Sequence, residues 1–273
     1  MNIFRKNGYK SVKHSVLKFI FFLLSFSVAQ QVVAQSLLVK AEDHLAQTVE
    51  LIAPDKFKLS AQLIPGSAMA GGVLVLHDCQ NSVKDFQSLY STIAQQGFFV
   101  LALDLRGFGA SESEVYSHKN IRQQADDIVS YQGQLAALML HWQKDVYKAY
   151  QYLQTAMNNN QPISMVTSGC SSNQAIYLAE KTAVKSLVML APELSYDEKE
   201  QFKHLADMPI YLLSAKHLTE AMLNAQELFE WSGDSHSVLQ IFKGNGSSYN
   251  LLKHQSYLNE NIATWLQSTL KAN

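Results

Sequence analysis

The chain has 273 residues, 47% of them hydrophobic and 16% charged, with a formal net charge of −1. That balance excludes a disordered or strongly basic protein, and the length suits one large domain. The five basic residues of positions 1–34 have no acidic counterpart, so their removal would take the net charge to −6. An acidic mature chain speaks against nonspecific nucleic-acid binding.

Taken in chain order, the first element is a candidate export signal. Arg5, Lys6, Lys10, Lys13 and Lys18 precede the apolar run Phe19 to Ala29, and small residues follow at Ser27-Val28-Ala29 and Val32-Val33-Ala34. The apolar core is about half of the roughly 20 residues a spanning helix needs. The expectation is a signal peptide over 1–34 cleaved near Ala29 or Ala34, a single domain over 35–273, and a periplasmic or secreted product. An uncleaved anchor is the competing reading. Export would also place Cys79 and Cys170, the two cysteines of the chain, where disulfides form.

Beyond the signal, apolar or alternating runs predict eight strands: "TVELIA", "KLSAQLI", "GGVLVLH", "FFVLALD", "ISMVTS", "SLVMLAP", "PIYLLSA" and "VLQIFKG". The first two are joined by "PDKF", a hairpin-type turn. From the third onward, helical stretches near 84–96, 141–157, 172–181, 218–231 and 256–270 separate the strands. The alternation predicts an α/β fold with a mostly parallel sheet, helices on both faces and an antiparallel N-terminal hairpin. A site in such a sheet lies beyond the carboxyl ends of the strands. The insertion at about 112–140 is long enough to cover that site, although Leu135, Leu138 and Leu140 in its tail suit a core helix better than a lid.

The run from Gly71 to Ser111, with its Asp104, Arg106, Gly107, Gly109, Ser111 segment, resembles the α/β-hydrolase superfamily, particularly its dienelactone-hydrolase-like and small esterase or peptidase branches. "DVYKAYQYLQ", "SLVMLAP" and "MPIYLLSAKH" resemble its helix before the nucleophile turn and its sixth and seventh strands. The resemblance implies a Ser, Cys or Asp nucleophile on a tight strand-to-helix turn written G-x-S-x-G, followed by an acid and a histidine. Asn173, Ala175 and Ala179 set the register so that Gly169 takes the nucleophile's place. Lys216 and His217 stand where the acid is expected, with Glu220 the nearest carboxylate, and Ser247 stands where the histidine is expected. Three departures in the family's order imply a hydrolase fold that has lost its chemistry, because triad members act as a unit.

The same resemblance puts the oxyanion-hole N–H groups at Cys79 and Cys170 and implies that the two cysteines face each other and form a disulfide; two separate buried thiols are the alternative. Asp78, Ser168 and Tyr249 are candidate ligand-binding residues at the strand ends. The competing functional reading is an active esterase, lactonase or peptidase using Cys170, or the neighbouring Ser171, as nucleophile with His217 or His254 as base. His254 is expected to open the last helix, His77 to be structural, His236 to lie at the opposite end of the sheet, and Asp104 and Arg106 to serve a turn and a surface network. No metal or cofactor is expected; the expected partner is a small acyl or peptide-like ligand or another protein.

Overall fold

The computed structural model describes residues 45–67, 70–157, 161–244 and 246–271, so the expected signal peptide lies outside the described residues. Eight strands form one sheet: β1 (Gln47–Ile52), β2 (Lys58–Ile64), β3 (Gly72–Leu76), β4 (Phe99–Leu103), β5 (Ile163–Ser168), β6 (Val184–Leu190), β7 (Ile210–Ala215) and β8 (Val238–Phe242), in the order β1-β2-β4-β3-β5-β6-β7-β8. β1 and β2 form the expected antiparallel hairpin, and β2 pairs antiparallel with β4. All other neighbours are parallel.

The helices are α1 (Gln87–Gln95), α2 (His118–Gln124), α3 (Ile128–Met139), α4 (Trp142–Ala156), α5 (Ser172–Lys181), α6 (Tyr196–Phe202), α7 (Thr219–Trp231), α8 (Ser248–His254) and α9 (Tyr257–Lys271). The five predicted helices are present. The insertion resolves into two more, α2 and α3, and two short helices, α6 and α8, were not anticipated. At seven residues each, α6 and α8 are too short for a hydrophobic period to stand out. His254 closes α8 instead of opening the last helix.

The central strands alternate their apolar residues between two cores. Leu74, Leu76, Met165, Leu187, Met189 and Leu212 face one, with Trp142, Val146, Ala149, Tyr150 and Leu153 of α4 packed over them at helical spacing. Val73, Val75, Val166, Val188 and Leu213 face the other, covered by Leu89 and Ile93 of α1 and by Ile262 and Leu266 of α9. Burial on both faces is why these strands read as continuous apolar runs. In the insertion, Leu138 is buried and Leu135 partly so, but Leu140 is 78% exposed, contrary to the core role expected of it. Leu138 seats on Gly107, whose φ of +87 and missing side chain bring α3 down onto the β4 loop; a Cβ there would lie 2.6 Å from Leu138 Cδ2.

Arg106 is not the surface residue expected from sequence. It is 1% exposed. Its Nε and Nη2 donate to Asp145 of α4 at 2.9 and 2.8 Å, and its Nη1 and Nη2 donate to Asp55 of the hairpin turn at 2.5 and 2.9 Å. The guanidinium also lies over the rings of Phe57 and Tyr116. Its hydrogen bonds hold the Asp55 carboxyl down at about 2, while burial pushes buried Asp145 up against the pull of the same guanidinium. Arg106 thus ties the hairpin, the β4 loop and α4 together. Asp104 is a turn residue as expected, accepting from Val83 N at 2.9 Å and Ala110 N at 3.0 Å.

Candidate functional site

β5 ends at Ser168, and the chain passes through Gly169 and a single 3-10 turn into α5. Gly169 has φ +52, a left-handed conformation that glycine adopts without steric cost. The turn is the tight strand-to-helix passage on which the resemblance sets a nucleophile, and glycine, the residue with φ +52, carries none. A Cβ added at Gly169 would lie 3.1 Å from Asp78 Cβ and 3.4 Å from Glu193 Oε1. The space a reacting side chain would enter is therefore bounded by two acidic residues.

Asp78 follows β3 and His77. Its Oδ1 accepts from Gln80 N at 2.8 Å and Asn81 Nδ2 at 2.7 Å, and its Oδ2 accepts from Ser168 Oγ at 3.3 Å. Ser168 is fully buried, and its amide donates to Ser171 Oγ at 3.1 Å. That bond turns Ser171 back onto the strand end. Asp78 and Ser168, two of the expected ligand residues, thus meet beneath the turn. The third, Tyr249, lies elsewhere: its ring is 6.2 Å from that of Phe86, and it lines a separate cavity of about 210 Å³ between α1, α8 and α9.

Glu193 is the residue that sequence reasoning missed. β6 ends just before Ala191, a non-glycine residue at φ +49 whose amide donates to Leu213 O. The strained turn sends the following segment back to the nucleophile turn, where Glu193 N donates to Gly169 O at 3.3 Å. Asn224 of α7 anchors the segment through Pro192 O at 3.1 Å. Although the residue keeps substantial solvent exposure, the Glu193 carboxyl is pushed up, first by its partial desolvation and then by the charges of Asp78 and Glu220. Its position just after a parallel strand was the only sequence signal for it.

Cys79 and Cys170 are joined by a disulfide, with their Cα atoms 5.9 Å apart across 91 residues of sequence. The bond spans the two positions that the resemblance assigns to oxyanion donors. His77 is buried and structural: Leu105 N donates to its Nε2 at 3.0 Å, which leaves the proton on Nδ1 to bond Asp78 O at 2.7 Å. Burial lowers its pKa and keeps it neutral.

The other two expected triad positions are committed to local backbone. His217 follows β7, is exposed, and bonds Gly244 O through Nδ1 at 2.7 Å. Ser247 caps α8, its Oγ accepting from Asn250 N at 3.4 Å. The nearest atoms around a Cβ at Gly169 belong to neither of them. His236 lines a cavity with Val184, Lys185 and Pro209 at the start of β6 and β7, the opposite end of the sheet, as expected. Among the described residues no cluster of His, Cys, Asp or Glu could hold a metal ion, and no helix is long and apolar enough to cross a membrane.

A family profile described as serine aminopeptidase, S33, matches residues 67–243, well over half the chain. The chain belongs to that hydrolase family. The matched span holds β3 through β8, the Gly169 turn and both cysteines. Solved α/β-hydrolases share the fold of this S33-family chain. An esterase from Pyrococcus furiosus is 15% identical at a TM-score of 0.62, over 85% of this chain and 93% of that one. A dienelactone hydrolase from Anabaena variabilis is 14% identical at a TM-score of 0.64, over 84% of this chain and 100% of that one. At such identities the likeness shows the fold alone. No curated protein matches the family member's sequence significantly.

Proposed function

We propose that this S33-family chain is an exported ligand-binding protein that keeps the hydrolase scaffold without hydrolase chemistry. The observation that carries the reading is the disulfide from Cys79 to Cys170 beside a side-chain-free Gly169. Acyl transfer needs a nucleophile at the turn and N–H donors aimed at the oxygen that becomes negative. Here sulfur spans the donor positions, and the Glu193 carboxyl, with the Asp78 β-carbon beside it, lies against the place of the nucleophile. A carboxylate there repels the anion that catalysis must stabilise. His217 and Ser247, bonded to nearby backbone, supply no acid or base to it.

Export is part of the proposal. It rests on the basic and apolar pattern of positions 1–34 and on a disulfide that an oxidising compartment would preserve. The partner is a small molecule or a protein, and the acidic mature chain makes nucleic acid a poor partner.

The test is hydrolysis of p-nitrophenyl esters and simple lactones by mature, oxidised protein, with thiol titration of the same sample. The expected result is no free thiol and no turnover above background, from a chain whose N-terminus begins just after Ala29 or Ala34. Turnover that appears on reduction and disappears in Cys170→Ser would overturn the reading and establish a cysteine hydrolase.

A further inference from the structure

The disulfide has a second face. Cys79 and Gln80 form one wall of an open cleft of about 670 Å³, and the insertion forms the other through His118 and Arg122 of α2, Ala125, Asp127, and Ile128 and Tyr131 of α3. That volume falls within the range of small-molecule sites. The cleft lies between the loop that follows β3 and the insertion over the strand ends, so its lining bears on what the candidate site binds.

The lining carries two opposite charges that do not neutralise each other. Among the described residues the Arg122 side chain has no hydrogen-bond or ion-pair partner. Asp127 uses Oδ1 to cap α3, accepting from Ser130 N at 2.7 Å, and forms no ion pair among the described residues. The two side chains share the cleft but are not within ion-pair distance of each other. His118 adds no third charge: its Nε2 meets Tyr131 OH at 2.9 Å, its ring stacks on Phe108 at 4.6 Å, and burial with Arg122 nearby lowers its pKa. Beside the charges, the cleft is lined by Cys79, Ala125, Tyr131 and Ile128, which is 65% exposed. A guanidinium is matched best by a planar carboxylate and a carboxylate by an ammonium.

We infer that this cleft binds a small zwitterion with an apolar body, an α-amino acid, with its carboxylate on Arg122, its ammonium on Asp127 and its side chain against Ile128, Tyr131 and the disulfide. A simple carboxylic acid would satisfy Arg122 and place its charge in the field of Asp127; a simple amine would do the reverse. Only a ligand carrying both charges matches both residues. The inference rests on the ligand-binding reading proposed above and gives it a ligand class.

The experiment is a titration of mature, oxidised protein with L-phenylalanine, N-acetyl-L-phenylalanine and L-phenylalaninamide, followed by calorimetry or by amide shifts. The zwitterion should bind saturably and each one-charge derivative about tenfold more weakly, as befits loss of one charge-assisted contact. Arg122→Gln should abolish the preference for L-phenylalanine over its amide and leave the preference over the N-acetyl form. Asp127→Asn should do the converse, and because Asn caps helices as well as Asp does, α3 stays intact. Unchanged melting of both variants checks that they are folded. Equal affinity for the three compounds, equal loss of all three in either variant, or no saturable binding in the millimolar range would each overturn the inference. The outcomes separate it from the reading beneath it. Absent binding together with absent ester turnover removes the amino-acid ligand and leaves the non-catalytic reading standing. Selective binding together with ester turnover keeps the ligand and removes that reading.

Discussion

Two polar centres sit on the same sheet and are built on opposite rules. Around Arg106, one cation is shared by two carboxylates, and every strong hydrogen bond joins opposite charges. Around Gly169, the neighbours are Asp78 and Glu193, with Glu220 adding to the field, and the carboxyls act on one another as like charges. The first arrangement is what a fold needs to pin a hairpin against a helix. The second puts negative charge where an acyl-transfer transition state would create more. The Gly169 centre is held by a covalent bond, by backbone contacts and by neutral donors to Asp78, with no cation among them.

The sharpest way to break the comparison is to remove the cation. Arg106→Met should cost about 3–5 kcal/mol, because buried Asp145 loses both of its donors and keeps its desolvation cost. Urea unfolding reads it, and a loss below about 1 kcal/mol would mean that water reaches Asp145 and the centre is not structural. Removing the disulfide attacks the other centre. The Cys79→Ser, Cys170→Ser variant should lose about 2–4 kcal/mol, since a crosslink over a long loop restricts mainly the unfolded chain. It should gain no esterase activity.

How far these centres were legible from sequence follows from the range of the interactions that make them. The strands were legible because burial on two faces writes continuous apolar runs, and α4 and α9 because their stripes are long. The Gly169 turn and the Cys79–Cys170 bond were legible only through resemblance, since 91 residues of sequence separate the cysteines. Arg106 read as a surface residue because its partners, Asp55 and Asp145, lie 51 and 39 residues away and no local pattern links them. Glu193 had no signal beyond its place after a strand. Its role comes from the Ala191 turn, whose left-handed φ no alanine announces.

A side chain restored at the turn makes a smaller perturbation that still separates the two readings. Gly169→Ala should cost about 1–3 kcal/mol, from a left-handed backbone and a Cβ at 3.1 Å from that of Asp78. Gly169→Ser should cost about the same and, on the non-catalytic reading proposed above, hydrolyse no p-nitrophenyl ester above background, because the positions that the resemblance assigns to acid and base hold His217 and Ser247. Turnover from that single change would show that the rest of the machinery is intact.

The smallest effect reads the surroundings of the Glu193 carboxyl, its partial desolvation first and then the neighbouring charges. A carboxyl whose pKa is raised on folding binds more protons in the native state than in the unfolded chain. Stability from Glu193 is therefore greatest below its unfolded pKa and declines as the pH rises from there through the raised native value, the reverse of Asp55, whose contribution is present above its unfolded pKa and lost as the pH falls toward about 2. Glu193→Gln should accordingly stabilise the protein at neutral pH, by less than about 1 kcal/mol because solvent screens a partly exposed group, and change nothing at the acid end. Melting curves of the variant and parent between pH 4 and 8 should coincide at the low end and separate upward. If they run parallel, neither desolvation nor the Asp78 and Glu220 charges act on Glu193, and the contrast with the Arg106 centre rests on the disulfide and the glycine alone.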